Sequence, residues 1–206
     1  MNFGETLAYW YLRLNGFFPL SNFVLHRDEE TIEHSADADL LAVRFPFVYE
    51  AVGGQPDDWD NDRFMGWGLP LDGAIVGFIV EVKTGKNNQE YRENIRRSFS
   101  RDRLSYGVHR LGFWQRIEVN AIVDKLLLSP IYSDPELGVS IGKLLIAVRF
   151  PEDRQIPPCL KLRLEEAEEF IVARVDKYIT QKQADRLRFP SDLMQYLIWN
   201  RRNPNT

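Results

Sequence analysis

One stretch, residues 74–85, constrains the fold more than any other part of the chain. It reads Ala-Ile-Val-Gly-Phe-Ile-Val-Glu-Val-Lys-Thr-Gly, an almost unbroken apolar run rich in β-branched residues. Such a run is typical of a strand that is buried on both faces at the centre of an α/β sheet. Glu81 and Lys83 stand near its end, and residues two apart share one face of a strand. Two charges there are costly unless they pair with each other, hold a metal or bind a phosphate.

The remaining sequence alternates predicted strands with predicted helices. Predicted strands cover residues 22–26, 35–45, 143–150 and 159–164. Predicted helices cover residues 3–15, 114–128, 165–179 and 191–202, and residues 89–99 and 101–112 are predicted to form one or two basic helices. Residues 130–142 are predicted to be a loop. Because the elements interleave without a repeat or a linker, we expect one α/β domain over residues 1–206. Its mixed central β-sheet would be flanked by helices, with a helical C-terminal elaboration.

A long connection separates the second predicted strand from the central one. It spans about residues 46–73 and contains glycine, proline, four aspartates within residues 57–62 and the aromatic residues Trp59, Phe64 and Trp67. Connections of this length are usually functional lids or mobile segments. We therefore treat it as an insertion into the domain.

Composition excludes several classes of protein. With 206 residues, the chain is long enough for one good hydrophobic core and short for two. Its single cysteine, Cys159, excludes an internal disulfide and a cysteine-built zinc site. No apolar segment approaches the roughly 18 residues that span a bilayer, so no membrane partner is expected. The first residues lack the features of a signal peptide, and a cytoplasmic location is the expectation.

Positive charge is concentrated in residues 83–116. This stretch, about a sixth of the chain, holds nine basic and three acidic residues, a net charge of +6, although the whole chain carries −4. A basic region beside a charged strand end is typical of a surface that follows a phosphate backbone, and the alternative is a solvated helix face. The predicted nucleic-acid-binding residues are Lys86, Arg92, Arg96, Arg97, Arg101 and Arg103.

The charged residues at the predicted strand ends carry a family resemblance. Asp39-Leu40-Leu41-Ala42, followed by Ile79-Val80-Glu81-Val82-Lys83-Thr84-Gly85, resembles the PD-(D/E)XK nuclease superfamily and its restriction-endonuclease-like fold. Gly4-Glu5 on the first helix and Leu-Asn-Gly-Phe at residues 14–17 match the αβ opening of many members. The resemblance covers roughly residues 3–100. It departs from the family where Ala38 replaces a proline and where the insertion separates the two motif strands.

The resemblance implies a metal-dependent nuclease that acts on nucleic acid, with DNA favoured over RNA. Asp39, Glu81 and the carbonyl of Val82 would ligate Mg²⁺ or Mn²⁺, because such hard cations prefer oxygen ligands. Lys83 would orient or activate the attacking water and offset developing negative charge. Glu5 has two interpretations: a fourth catalytic residue, or an acidic residue that complements the dipole of the first helix.

Other classes of function stay open. Glu81 and Lys83 alone are also compatible with a structural ion pair. The whole chain is compatible with a catalytically silent nuclease-fold module that binds a protein, or one that senses nucleic acid without cutting it. A homodimer or a partner protein is compatible with each of these.

Overall fold

A mixed six-stranded sheet with helices on both faces forms the centre of the structure. The structure is a computed structural model that describes residues 2–23, 38–51, 53–69, 71–85, 89–151, 156–181 and 191–202. Its strands are β1 (Phe18–Phe23), β2 (Ala38–Arg44), β3 (Ile75–Lys83), β4 (Ile131–Asp134), β5 (Val139–Ala147) and β6 (Leu160–Arg163). Its helices are α1 (Phe3–Leu14), α2 (Asn61–Gly66), α3 (Gln89–Arg97), α4 (Arg101–Leu111), α5 (Val119–Leu128), α6 (Leu164–Lys177) and α7 (Asp192–Arg202).

The apolar run found in the sequence becomes β3, and it lies inside the sheet. The strand order is β1-β2-β3-β5-β4, with antiparallel pairing from β1 to β3. β3 and β5 run parallel from the Ile75–Val139 pair to the Lys83–Ala147 pair. The other edge of β5 is shared, because β4 pairs with its first half and β6 with its second half. The sequence therefore predicted the mixed sheet and its central strand correctly.

The two faces of β3 belong to two separate hydrophobic clusters. Val76, Phe78 and Val80 point into a cluster built with α1, α6 and α7. Ile79 points into the opposite cluster, which is built with α3, α4 and α5. Because side chains alternate along a strand, a continuous apolar run is the pattern that covers both faces. Glu81 and Lys83 have the same parity as Ile79 and so face α3 and α4.

The prediction that residues 130–142 form a loop is wrong. β4 and the start of β5 make a tight antiparallel hairpin there, joined by residues 135–138. Asp134 Oδ1 accepts the backbone N–H groups of Glu136 and Leu137, both at 3.1 Å, and Gly138 has a φ of +63°. Turn residues in the sequence therefore marked a hairpin turn, with short strands on both sides.

The first strand lies earlier in the chain than predicted. β1 begins at Phe18, two residues after Gly16, and the described part ends at Phe23. Gly16 has a φ of +80°, a conformation that favours glycine, and it turns the chain from α1 directly into β1. The predicted strand over residues 22–26 extends beyond the described residues, as does the start of the strand predicted over 35–45.

The long connection between β2 and β3 is part of a hydrophobic core. Phe64 and Leu69 are fully buried, and Phe64 packs between Phe17 and Phe78 with ring centroids 5.7 and 6.2 Å away. Asp60 accepts a hydrogen bond from the hydroxyl of Tyr11 at 2.7 Å. These contacts place the described part of the connection on the α1 side of the sheet. It does not cover the face that carries Glu81 and Lys83.

Within the described parts of the chain, no helix combines the length and the hydropathy that a bilayer-spanning segment requires.

We expect the centre of the sheet to dominate stability. Leu144 on β5 is fully buried, whereas Leu128 at the end of α5 is 84% exposed. Leu144→Ala should lower the free energy of unfolding by about 2–5 kcal/mol, because it removes buried methyl groups and leaves a cavity. Leu128→Ala should change it by less than about 0.5 kcal/mol. Urea unfolding followed by circular dichroism measures both, and equal losses in the two variants would contradict the two-core packing.

Candidate active site

The pairing of β2 with β3 brings the first predicted carboxylate to the second. The ladder between the two strands ends at the Leu40–Val80 pair, so Asp39 lies opposite Glu81 one residue further on. Asp39 Oδ2 then accepts the backbone N–H of Val82 at 2.6 Å. The carboxylate thus binds a backbone N–H two residues beyond the last ladder pair, which anchors the start of β2 to the end of β3.

Lys83 joins the two carboxylates. Its Nζ lies 2.7 Å from Glu81 Oε2 and 3.5 Å from Asp39 Oδ2. The side chain of Glu81 is only 1% exposed, whereas those of Asp39 and Lys83 are 21% and 19% exposed. The structure therefore brings together the three side chains that the sequence singled out, at an end of the sheet that is partly open to solvent.

A second cation, Arg103 of α4, contacts the buried carboxylate. Arg103 Nη1 lies 2.7 Å from Glu81 Oε1, so each oxygen of Glu81 has its own cationic partner. Gly107 explains how α4 comes so close to β3, because a Cβ atom there would lie 2.6 Å from the Cδ1 atom of Ile79. Residues four apart share a helix face, so the approach at Gly107 also directs Arg103 toward Glu81.

Sequence reasoning assigned Arg103 to the nucleic-acid surface and missed its contact with Glu81. The contact depends on α4 lying antiparallel to β3, which no local pattern states. The sequence signal was the pair Arg103 and Gly107, a cation and a residue without a side chain on one helix face. Gly107 permits a close contact between the helix and the strand, and Arg103 on the same helix face then reaches a charged side chain of that strand.

Burial and neighbouring charges oppose each other in this cluster. Burial raises the pKa of Glu81 above its ordinary value of 4.5, and Asp39 adds to that rise, while Lys83 and Arg103 counteract it. Burial acts to lower the pKa of Lys83, but Glu81 and Asp39 outweigh it, so this pKa lies above 10.5. Lys83 is therefore protonated at neutral pH in the metal-free protein. An ammonium suits the stabilisation of negative charge better than the acceptance of a proton.

Glu5 lies at the start of α1 in a capping box. Its backbone N–H donates to Asn2 Oδ1 at 3.0 Å, and its Oε2 atom accepts the backbone N–H of Asn2 at 3.1 Å. This is the helix-end role that the sequence offered as one interpretation. The helix start lies beside the end of β3, because a Cβ atom at Gly4 would meet Thr84 and Val82. A catalytic role of Glu5 stays a prediction.

The predicted nucleic-acid-binding residues fall into three groups. Arg92, Arg96 and Arg97 are exposed on α3. Arg101 forms an ion pair with Asp124 of α5, and Arg103 contacts Glu81. Lys86 lies outside the described residues. The basic residues of 83–116 therefore serve contacts within the chain in part, and α3 presents three exposed arginines.

A cleft adjoins the charged cluster. It has a volume of about 400 Å³ and is lined by residues from the end of β3 and the start of α3: Val82, Lys83, Thr84, Gly85, Glu90, Tyr91 and Asn94. Tyr91 is fixed by a hydrogen bond from its hydroxyl to the carbonyl of Arg149 at 2.7 Å. Lys83 therefore contacts both carboxylates and also lines a cleft that is large enough for a small ligand group.

The donor set at this strand end suits a hard divalent cation with few protein ligands. Among the residues that the structure describes, no group of three or more His, Cys, Asp or Glu side chains is arranged to hold a metal ion. Asp39 and Glu81 supply two carboxylates that already meet at one ammonium. Mg²⁺ is often bound through one or two carboxylates together with water and substrate oxygens. These residues are therefore compatible with such an ion.

Comparison with known proteins does not identify the chain. Searches of family models, curated proteins and solved structures found no significant match. An α/β architecture hosts many unrelated activities, so function has to be argued from the site itself.

The raised pKa of Glu81 predicts a pH dependence in the metal-free protein. The folded state holds this proton to higher pH than the unfolded state, so its contribution to stability falls as pH rises from about 4.5 through the folded pKa. Asp39→Asn should lower the pKa of Glu81, because it removes a neighbouring negative charge, and Arg103→Gln should raise it. Carboxyl ¹³C NMR titration in EDTA measures these shifts. A Glu81 that titrates below 4.5 in the wild-type protein would contradict the burial argument.

Proposed function

We propose that the protein is a metal-dependent phosphodiesterase that cleaves nucleic acid, with DNA favoured over RNA. One observation carries the proposal: the carboxylates of Asp39 and Glu81, from adjoining strands, both contact the ammonium of Lys83 at 3.5 and 2.7 Å. The resemblance to the PD-(D/E)XK superfamily supports it, because Asp39 and Glu81-Val82-Lys83 are the residues of that motif. The path from α1 directly into β1 also agrees with the restriction-endonuclease-like fold that we propose for the chain.

Asp39 and Glu81 are the proposed metal ligands, with the carbonyl of Val82 as a third. A Mg²⁺ or Mn²⁺ ion held there would stabilise developing negative charge on the phosphate and lower the pKa of a bound water. The hydrogen bond from the Val82 N–H to Asp39 fixes the carboxylate beside the backbone group that would share the ion. Glu5 is the weakest member of the proposed catalytic set, because its described contacts are those of a helix cap.

Lys83 has the role of an electrostatic catalyst in this proposal. Its raised pKa keeps it protonated, and it lines the cleft in which a phosphate would lie. A fixed ammonium in a partly buried site stabilises charge that develops on phosphate oxygens or on the attacking water. The exposed arginines of α3 would bind the phosphates of the flanking nucleotides.

One observation favours a second candidate function, a nuclease-fold module without catalysis. Arg103 and Lys83 neutralise Glu81 and Asp39 completely, so the cluster is balanced without any metal. Such a balanced cluster would also serve a module that binds nucleic acid or a partner protein. Binding of nucleic acid that is independent of metal, with no cleavage product, would indicate this alternative.

Cleavage should depend on Lys83 and on a divalent cation. We expect wild-type protein to cut single- or double-stranded DNA, or RNA, with Mg²⁺ or Mn²⁺ and to be inactive in EDTA. Lys83→Ala should lower the rate by about a hundredfold or more, since it removes a positioned positive charge. Lys161→Ala is the matched control, because Lys161 is an exposed lysine on another strand of the same sheet. Gel analysis of end-labelled substrates measures the products, and their absence with every substrate and metal would refute the proposal.

Binding of nucleic acid should depend on α3 and not on Lys83. Reversal of charge in the double variant Arg96→Glu, Arg97→Glu should weaken binding and make its salt dependence shallower, by about 0.9 in slope per lost duplex phosphate contact. The double reversal Lys161→Glu, Arg201→Glu changes the net charge equally at exposed positions on other elements. Fluorescence anisotropy across a salt series in EDTA compares the two. Equal loss of affinity in both would mean that α3 presents only a solvated face.

A further inference from the structure

Arg103 occupies an oxygen that a metal ion would need. Glu81 Oε2 contacts Lys83 and Oε1 contacts Arg103, each at 2.7 Å, and the side chain of Glu81 is 1% exposed. Because Glu81 is buried and each of its oxygens already has a cationic partner, a third cation that approaches it is repelled by both partners and competes with one of them. The identity of the displaced residue decides how the site changes when an ion binds.

The contacts differ in how firmly they are held. Lys83 is two residues from Glu81 on the same strand, and its Nζ atom also contacts Asp39 at 3.5 Å. Arg103 comes from a separate helix, and its side chain is 27% exposed, more than that of Lys83. Loss of one contact leaves Lys83 with another carboxylate, whereas Arg103 has solvent beside it. The guanidinium of Arg103 is therefore the less firmly held of the two partners.

We propose that Arg103 changes partners when the site is loaded. In the metal-free protein, it neutralises Glu81; with a divalent cation held by Asp39 and Glu81, its guanidinium would bind the non-bridging oxygens of the phosphate that is cut. This inference rests on the proposed function and adds a catalytic residue outside the motif. The planar guanidinium, with its fork of N–H donors, matches a phosphate group in shape and charge.

The charge balance of the cluster agrees with this exchange. Arg103 and Lys83 together cancel the charges of Glu81 and Asp39, so the metal-free site has no net charge to attract an anion. With a divalent cation held by Asp39 and Glu81, Arg103 would no longer be needed to neutralise Glu81, and its positive charge would be unbalanced. An anionic phosphodiester at the neighbouring cleft then provides its new partner.

The first experiment measures metal binding without nucleic acid. Calorimetric titration with Mn²⁺ should give an affinity about tenfold tighter for Arg103→Gln than for wild type, the effect of one charge-assisted hydrogen bond that no longer competes. Arg101→Gln is the matched control, since it removes an arginine of the same helix that pairs with Asp124 at the surface. Its Mn²⁺ affinity should equal that of wild type. Arg103→Lys, which keeps the charge with fewer donors, should bind Mn²⁺ with intermediate affinity and still reports if Arg103→Gln fails to fold.

The second experiment measures cleavage at saturating Mn²⁺. Arg103→Gln should lower kcat by about a hundredfold with KM changed only a few fold, because the lost contact is to the reacting phosphate. Arg103→Lys should recover part of kcat. Unchanged Mn²⁺ affinity in Arg103→Gln would overturn the displacement, and an unchanged kcat would overturn the contact with phosphate. If wild type cuts nothing, the proposed function fails and the phosphate role falls with it, while the Mn²⁺ titrations still decide the displacement.

Discussion

The buried carboxylate of Glu81 is the constraint around which the described structure is arranged. It lies at the end of the central strand with almost no contact with water, a position that strongly disfavours a lone charge. Lys83 supplies one counter-charge from the same strand, and Arg103 supplies another from α4. Removing either cation leaves a buried charge only partly compensated, and that cost links the end of β3 to the packing of α4.

The apolar parts of the chain explain why such a cluster can exist. Parallel pairing with β5 and antiparallel pairing with β2 hold β3 along both edges, so backbone hydrogen bonds fix the position of this strand from both sides. Gly107 allows α4 to lie close to Ile79, and this approach brings Arg103 within reach. Three charged groups on one strand pair and a fourth on a helix are thereby positioned by hydrophobic packing. Rigid packing of this kind is what a preorganised electrostatic site requires.

The same cluster has a stabilising and a functional interpretation, and its charges explain why. Four groups of alternating sign satisfy one another in the metal-free protein, which is enough to account for their burial. Two carboxylates that converge on one cation beside a cleft are also what a hard divalent ion and a phosphate would need. A partner exchange by Arg103 reconciles the two, because the same side chain would stabilise the metal-free form and serve the loaded one.

The sequence by itself determined the central strand, and it predicted that Asp39, Glu81 and Lys83 converge. A continuous apolar run is typical of a strand that is buried on both faces, and alternation along that strand places Glu81 and Lys83 on the same face. Local patterns failed at the hairpin over residues 130–142 and at the connection before β3. At the hairpin, the turn residues lie between two short strands that local patterns did not indicate. In the connection, Phe64 is buried among aromatic rings from distant parts of the chain, and such a contact has no local sequence signal. The tertiary structure alone decided that Arg103 joins Glu81, because a contact between a helix and a strand depends on how closely their backbones pack.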